Sequence, residues 1–446
     1  MLETLERFFK LKENGTNVRT EFIAGLATFM TMAYIIFVNP GILSAAGMPA
    51  EGVFVATILA AVLGTLCMAF ITNYPFALAS GMGLNAFFAY TIVGQMGLSW
   101  QVALGLVFLE GILFIILSVL PVREKIVNAI PMSVKTGISA GIGLFIAFIG
   151  LQNAGLTVDN PETLVELGKI GTGPFIALAG LIIIAILQSR KVKGSILYGI
   201  IASTILAFIF NVEVAPGVPI RETYQGIVAL PNFAPWKEIL FKLDLRGALQ
   251  IGAIGAMISL LFVDMFDTVG TVVGVAQQAD YLDEKGELPK AGKVLLADAI
   301  GTTGGALFGT STVTTYVESA AGVGAGGRTG LTGVFVSLFF ILALFFQPLV
   351  SLIPAVATAP ALIIVGAMMI TNMAKLDWND FTEVFPAFIT MVFMPFTYSI
   401  ANGIALGFIV YPFVKLATGK GKEVHWLVYV LGVFSVLYLY VYGTFR

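Results

Sequence analysis

Residues 309–330 read GTSTVTTYVESAAGVGAGGRTG, and this stretch decides the fold of the chain. Apolar segments long enough to cross a bilayer flank it on both sides. The stretch itself contains a short extended run (310–317), a carboxylate (Glu318) and a half-helix rich in glycine and alanine. Non-helical backbone is tolerated at membrane depth only where it is buried in protein or lines a cavity, and a carboxylate there marks a functional site. We therefore expect the rest of the chain to hold Glu318 at the membrane midplane and to expose it to either side.

The composition is that of an all-α polytopic membrane protein. Of 446 residues, 58% are apolar and 11% are charged, whereas soluble domains carry about 25% charged residues. The net charge of −2 gives no reason to expect nucleic acid as a partner. One cysteine (Cys67) and one histidine (His425) are too few ligands for a zinc or other transition-metal cluster. We expect neither a metal nor a cofactor.

Apolar runs near the length of about 20 residues that crosses a bilayer occur in two sets of seven, separated by a polar linker. A further apolar run, 424–443, either spans the membrane or lies along its interface. We number the others spans 1–14, and they cover 21–39, 53–72, 75–93, 101–120, 134–152, 173–189, 195–211, 249–276, 291–308, 311–326, 330–347, 355–373, 382–398 and 401–417.

Basic residues predict the orientation of the spans, because lysine and arginine are enriched in cytoplasmic loops. Outside the linker, each basic cluster precedes span 1 or follows an even-numbered span. The N-terminus is therefore predicted to be cytoplasmic, in a multi-pass protein of the cell (plasma) membrane. The residues of these clusters are Arg7, Lys10, Lys12, Arg19, Arg123, Lys125, Lys135, Arg190, Lys191, Lys193, Lys285, Lys290, Lys293, Arg328, Lys375, Lys415, Lys420 and Lys422.

Spans 3 and 10 are both third in their set, and both are broken. Because seven is odd, the second set begins on the opposite membrane face, which is the inverted repeat of many secondary transporters. In span 3, PFALASGMGLNAFFAY (75–90), Gly81 and Gly83 interrupt the pattern, and Asn85 stands at the head of a new apolar helix. An alternative is that these glycines only allow close packing between helices, but this would not explain a carboxylate, Glu318, inside the membrane. Matched breaks predict a binding site at the midplane.

Span 8 contains LLFVDMFDTVGTVVG (260–274), which places Asp264, Asp267 and Thr268 on one helical face. Two carboxylates inside a span are costly unless they meet water, a substrate, an ion or each other. They can therefore carry a proton during transport, hold Na⁺ with nearby carbonyl groups, or form a structural pair. We favour the proton.

Glu318 also predicts the kind of substrate. A carboxylate that accepts two parallel N–H bonds suits a planar heterocycle such as guanine, and Asn85 can donate and accept at a base edge. Two further acids inside spans, Glu110 and Asp298, are expected to pair with the broken backbone of span 3 or span 10. Aromatic residues that could stack on a base, although each is more often a packing residue, are Phe87, Phe88, Tyr90, Phe266 and Tyr316.

Three segments together resemble the AzgA-like purine permeases of the nucleobase–cation symporter 2 (nucleobase–ascorbate transporter) superfamily. They are GMGLNAFFAY (81–90), FVDMFDTVGT (262–271) and TSTVTTYVESAAGVGAGGRTGLTGV (310–334). The resemblance extends from residues 28–40 to residues 395–407 and so covers nearly the whole chain.

The resemblance implies a fourteen-span fold of two inverted repeats, in which spans 1–4 and 8–11 form a core domain and the other spans a gate domain. It also implies that short strands in spans 3 and 10 meet at the substrate, and that the core moves against the gate. The expected boundaries are a cytoplasmic lead-in 1–20, core segments 21–120 and 249–347, a linker 212–248, and gate segments 121–211 and 348–446, the last including the C-terminal apolar helix.

The family's essential polar positions fall on Asn85, Asp264 and Glu318, with Asp267 in support. Where similar proteins that carry uracil or xanthine place a histidine or a similar polar group one turn after the acid of span 8, this chain has Thr268. This difference favours guanine, hypoxanthine or adenine. The expected substrate-binding residues are Asn85, Asp264, Glu318, Thr268, Ser319 and Phe266, and the expected proton-coupling residues are Asp264, Asp267 and Glu318.

The sequence therefore predicts a transporter, not an enzyme, that imports a purine nucleobase with a cation. The expected partners are the base, H⁺ (or Na⁺ as the alternative) and the lipid bilayer; a homodimer is left open. One alternative function is that of an inorganic-anion transporter of the sulfate type, which shares the fold but favours a positive site. Another is an intramembrane hydrolase, which the single-helix placement of Asp264 and Asp267 argues against.

Overall fold

Long apolar helices and two short strands that interrupt them organise the fold. The computed structural model describes residues 2–119, 130–215, 217–283 and 288–444. The continuous spans are span 1 (Val18–Met32 followed by Ile35–Ser44), 2 (Ala50–Thr72), 4 (Trp100–Val119), 5 (Met132–Asn153), 6 (Thr172–Ser189), 7 (Ser195–Ile209), 8 (Ile251–Gln278), 9 (Ala291–Phe308), 11 (Gly330–Ala343, then a 3₁₀ turn Leu344–Leu349), 12 (Ala355–Ile370), 13 (Phe381–Phe396) and 14 (Ile400–Ala417).

In the described part of the chain, six strands form three antiparallel pairs, β1 with β6, β2 with β3 and β4 with β5. β1 belongs to span 3 and is followed by a short α-helix, Met82–Ala86, and a π-helix, Phe87–Gln95. β6 belongs to span 10 and is followed by the half-helix Ser319–Gly324. The predicted breaks in both spans are confirmed. The strands are β1 (Leu78–Ser80), β2 (Thr157–Asn160), β3 (Leu164–Leu167), β4 (Glu213–Ala215), β5 (Val218–Pro219) and β6 (Val313–Thr315).

Within the described ranges, nine helices are long and apolar enough to cross a membrane: spans 1, 2, 4, 5, 6, 8, 11, 12 and 14. Spans 7 and 13 are apolar but shorter, with 15 and 16 residues. Span 9 is less apolar because it carries Lys293 and Asp298, and it packs between spans 2 and 4. Spans 3 and 10 are the broken ones. The predicted helical membrane fold is confirmed.

The helix packing repeats itself between the two halves. Span 2 packs on span 9. The contact of span 11 with span 2 in one half corresponds to the contact of span 4 with span 9 in the other. Span 5 packs on span 12. In the same way, the contact of span 13 with span 5 corresponds to the contact of span 6 with span 12. Each contact corresponds to one in which both span numbers are shifted by seven. This correspondence is that of an inverted repeat.

Two threonines anchor the two central strands in the same way. Thr65 of span 2 accepts a hydrogen bond from the N–H of Leu78 at 2.9 Å and donates one to its C=O at 3.1 Å. Thr302 of span 9 does the same for Val313, at 3.2 Å and 2.8 Å. These backbone groups point away from the partner strand, so the two hydroxyls satisfy groups that would otherwise be buried without partners.

Glycine allows spans 2 and 9 to approach each other behind the strands. A Cβ atom on Gly301 would lie 3.1 Å from the Cα of Gly64 and 3.2 Å from Cγ1 of Val313. A Cβ on Gly64 would lie 3.1 Å from the same Val313 carbon. The close approach leaves the strands fully buried between the two spans.

The apolar run at the C-terminus forms the helix Trp426–Thr444. It packs along span 14 and contacts span 8. Gly432 lies against the backbone of Phe408, and the ring of Tyr438 lies against Gly255 near the start of span 8. The remaining short helices are Leu2–Phe9, Ile220–Thr223, Ala234–Lys237, Leu245–Ala248, Thr371–Lys375 and Gly421–Glu423.

Candidate functional site

A cavity of about 590 Å³ lies where the two half-helices begin, a volume typical of small-molecule sites. Spans 1, 3, 8 and 10 form one wall, and spans 5 and 12 form the other. The cavity extends toward the start of span 5 and the ends of spans 8 and 12. Polar residues that line it are Tyr34, Asp267, Thr271, Thr314, Thr315, Tyr316 and Glu318 on the first wall, and Lys135, Thr136, Ser139, Thr371 and Asn372 on the second.

Glu318 lies at the N-terminal end of the half-helix Ser319–Gly324 and lines the cavity. The hydroxyl of Tyr34 donates a hydrogen bond to its Oε1 atom at 2.7 Å. Tyr34 lies at the bend between the two helical segments of span 1, which brings its side chain to the cavity. One carboxylate oxygen is thus held in place by Tyr34. The sequence showed no sign of the part that Tyr34 plays.

Asp267 is the second carboxylate on the cavity wall. The hydroxyl of Thr314, from β6, lies 3.4 Å from its Oδ2 atom and donates to it. Val263, Gly270, Thr271 and Gly274 line the cavity with it, so this is the face of span 8 that a ligand meets.

Asp264 does not line the cavity, although the sequence placed it on one face with Asp267. Three helical residues correspond to a rotation of about 300°, so the two side chains differ in direction by about 60°. Asp264 is fully buried, and its closest electrostatic partners are Glu110 of span 4 and Asp298 of span 9. The structure therefore separates one acid that faces the cavity from one that lies behind it.

Thr268 and Asp298 hold span 10 from behind. Asp298 accepts hydrogen bonds from the hydroxyls of Thr268 and Thr315, each at 3.0 Å. Asp298 thus contacts the broken span as predicted, through a side chain of β6. The same prediction is wrong for Glu110, since neither of its carboxyl oxygens has a hydrogen-bond partner among the described residues.

Asn85 and Ser319 connect the two broken spans to each other. The hydroxyl of Ser311, just before β6, donates to Oδ1 of Asn85. The N–H of Ala77, just before β1, donates to Oγ of Ser319 at 3.0 Å. Both side chains are fully buried, and neither lines the cavity. They fix the strand pair on which the cavity depends.

Of the aromatic residues that could stack on a base, some line the cavity and others do not. Tyr316 lines the cavity and donates a hydrogen bond to the C=O of Ser80 at 2.5 Å. Phe87 and Phe88 are fully buried core residues outside the cavity. The side chain of Phe266 lies outside the described part of the structure.

The cavity thus offers two carboxylates, several hydroxyls and two aromatic rings, with Lys135 as the basic residue among its described lining. Such a set binds a small, planar, polar molecule that carries N–H donors better than it binds an anion, because the carboxylates accept hydrogen bonds and repel negative charge.

Comparison with known proteins gives a consistent result. Residues 19–406 match the family model Xan_ur_permease, described as "Permease family". The adenine permease AdeP of Escherichia coli is 44% identical over 434 residues, which cover 97% of this chain and 95% of AdeP. The guanine/hypoxanthine permease PbuO of Bacillus subtilis is 44% identical over 439 residues, which cover 97% of this chain and 100% of PbuO. The transmembrane domain of the cyanobacterial bicarbonate transporter BicA shares the fold, with a TM-score of 0.65 at 17% identity over 86% of this chain and 97% of that domain.

Proposed function

Because this chain belongs to the permease family that it matches over residues 19–406, and is a membrane transporter and not an enzyme, we propose that it imports purine nucleobases by symport with a cation. Guanine and hypoxanthine come first as substrates, adenine is the alternative, and H⁺ is the proposed coupling ion. The observation that carries the proposal is the carboxylate of Glu318, held by Tyr34 at the end of a half-helix inside the cavity.

Guanine presents a ring N–H and an exocyclic amine side by side, and a carboxylate can accept both hydrogen bonds. One such acceptor in the cavity is Glu318, and Asp267 is a second. Tyr316 supplies a ring and the strand threonines supply hydroxyls. The named relatives support the substrate class, since one is an adenine permease and another a guanine/hypoxanthine permease.

The position of the cavity supports a division into core and gate. Its first wall comes from spans 1, 3, 8 and 10 of the proposed core, and its second from spans 5 and 12 of the proposed gate. A movement of one wall against the other would open the site alternately to the two sides. With the N-terminus in the cytoplasm of the cell, the end toward which the cavity extends is the cytoplasmic one. The structure then corresponds to an inward-open state.

Anion transport is the competing proposal, because BicA carries bicarbonate on the same fold. At 17% identity that likeness shows the fold alone. The lining of the cavity contains two carboxylates and one lysine among its described residues, a set that disfavours an anion.

The test is uptake of labelled hypoxanthine by cells that lack their own purine permeases. We expect saturable uptake that guanine competes with, that a protonophore abolishes, and that falls by about 100-fold in Glu318→Gln, because a charged acceptor is lost. The control is Glu162→Gln, which changes an exposed glutamate in the β2–β3 turn and should not affect uptake.

Competition by adenine alone would change the substrate and leave the mechanism. Uptake that follows a sodium gradient instead of a proton gradient would replace the coupling ion. Absence of uptake for every base, with the protein present in the membrane, would overturn the proposed function.

A further inference from the structure

Two carboxyl groups lie behind the cavity, and neither lines it. Glu110 of span 4 and Asp264 of span 8 are both fully buried. They are direct neighbours, close enough for each carboxyl group to affect the charge of the other. Span 4 packs against spans 8 and 9 at this level, which encloses the pair in protein.

Among the described residues, the pair has few hydrogen-bond donors. Oε1 and Oε2 of Glu110 and Oδ1 of Asp264 have no partner among the described residues. The remaining atom, Oδ2 of Asp264, lies 3.4 Å from the hydroxyl of Thr302. That hydroxyl has one hydrogen and lies 2.8 Å from the C=O of Val313, which is the closer acceptor. Three of the four carboxyl oxygens therefore have no donor, and the fourth has only a long contact with a hydroxyl that has a closer acceptor.

The neighbouring charged groups do not compensate for the missing hydrogen-bond donors. The charged groups that act on the pair are Asp298 of span 9 and Asp267 of span 8, both acids. No ion pair joins Glu110 or Asp264 to a lysine or arginine in the part of the chain that the structure describes. Two ionised carboxylates in contact, buried and without donors, are strongly unfavourable, and such pairs share a proton.

We propose that Glu110 and Asp264 form a proton-binding site, and that the proton it holds is the one carried with the substrate. The inference rests on the proposed symport of a purine with H⁺. In the proton-bound state, the O–H of one carboxyl donates to an oxygen of the other, which supplies the missing hydrogen. Loading adds one H⁺ from water to the doubly ionised pair, and release returns it to water on the other side.

The pair is close enough to the cavity for the substrate and the proton to influence each other. Asp298 accepts a hydrogen bond from Thr315, a residue of β6 that lines the cavity. Asp267 lines the cavity on the same helix as Asp264. A change of charge on the pair therefore acts on β6 through Asp298 and on the cavity through Asp267.

The test compares Glu110→Gln with Glu162→Gln in liposomes that contain the purified protein. Glu162→Gln is the matched control because it makes the same chemical change at an exposed glutamate in the β2–β3 turn. Two assays are made for each protein: exchange of labelled purine without a gradient, and accumulation driven by a pH gradient. A gradient of about one pH unit drives about tenfold accumulation when one proton accompanies each substrate.

We expect wild type and Glu162→Gln to exchange and to accumulate, and Glu110→Gln to exchange without accumulation. Accumulation by Glu110→Gln at the wild-type level would overturn the proposal. If wild-type protein exchanges purine but a pH gradient drives no accumulation, symport with protons fails and this inference fails with it. If wild type does not exchange purine, the proposed function itself has failed.

An infrared spectrum keeps the inference testable if Glu110→Gln does not transport. A shared proton gives wild-type protein the C=O band of a protonated carboxylic acid, which shifts in D₂O. We expect the difference spectrum between wild type and the double variant Glu110→Gln/Asp264→Asn to show the loss of one such band, because the double variant has no carboxyl group left at the site to hold the proton. No loss would mean that the pair is fully ionised, and the inference would be wrong.

Discussion

Spans 3 and 10 occupy equivalent places in the two repeats, but only span 10 presents a carboxylate to the cavity. Both contain a strand held by a threonine, and both contain a residue that reaches across to the other span. Counting from the anchored residues Leu78 and Val313, the counterpart of Glu318 is Gly83. A Cβ atom on Gly83 would lie 2.4 Å from Cγ2 of Ile142 in span 5.

This comparison separates the scaffold from the chemistry. The backbone of each strand needs the same hydrogen bonds wherever it is buried, so the anchors are repeated. The proposed ligand is not symmetric. Span 10 therefore carries a hydrogen-bond acceptor, Glu318, whereas span 3 has a glycine at the same position, which allows span 5 to pack closely against it. The following predictions test that separation, from the largest expected effect to the smallest.

Thr65→Val and Thr302→Val test whether the two anchors are equivalent. Each change keeps the shape of the side chain and leaves one buried N–H and one buried C=O without a partner. At about 1–3 kcal/mol for each group, each variant should lose roughly 2–6 kcal/mol of stability. Thermal unfolding of the purified protein in detergent should show similar losses for the two. A loss confined to Thr302→Val would contradict the equivalence of the anchors.

Gly83→Ala tests the close approach of span 3 to span 5. The added methyl group overlaps Ile142, and overpacking of this kind costs about 1–3 kcal/mol. We expect uptake to fall by about tenfold or more, and Ile142→Ala in the same protein to restore it. The single change Ile142→Ala is the control. If the double variant remains as impaired as Gly83→Ala, the contact is not the cause.

Tyr34→Phe tests the support of Glu318. The variant loses one hydrogen bond to a carboxylate, an interaction worth about 1.5–3 kcal/mol. We expect KM for purine uptake to rise by about tenfold or more, with little change in the maximal rate. Tyr316→Phe is the matched control, because its hydroxyl bonds to the C=O of Ser80 and not to a carboxylate. An equal rise in KM for both variants would mean that Glu318 is not the group affected.

A smaller asymmetry distinguishes spans 13 and 14 from spans 6 and 7. Asp380, just before span 13, pairs with Lys420 at 2.7 Å, and this hydrogen bond, with others from Thr382, holds the pKa of Asp380 well below its usual range. A lowered pKa in the folded state stabilises the protein above the unfolded pKa of about 4, and this contribution is lost as the pH falls further.

Asp380→Asn should therefore lower the unfolding temperature slightly at neutral pH, since exposed ion pairs contribute little. The difference from wild type should be constant between about pH 5 and 8 and should shrink below about pH 4. Thermal unfolding at a series of pH values measures it. A difference that grows as the pH falls would contradict the assigned role.

Much of the fold could be predicted from local patterns. Apolar runs indicated the spans, and the glycines at 81 and 83 with the polar stretch before Glu318 indicated the two breaks. These signals are local because the bilayer requires each segment to satisfy its own backbone and to be apolar along its length.

The partners of the site residues could not be predicted in this way. Thr65 and Thr302 are ordinary residues in apolar spans, and their role depends on strands that reach them only in the folded chain. Tyr34 gave no signal because the bend of span 1 is not marked by a proline or glycine next to it. The hydrogen bond from Ser311 to Asn85 joins residues far apart in the chain.

The sequence by itself determined that this protein is a helical membrane transporter with two broken spans and a carboxylate at one of them. Only the tertiary structure decided which acids face the cavity: Asp267 and Glu318 do, and Asp264 turns to Glu110 behind it. The spacing of Asp264 and Asp267 leaves about 60° between them, and the rotation of span 8 settles which one points inward. That rotation is fixed by packing against spans 4 and 9, through contacts that local hydrophobicity does not encode.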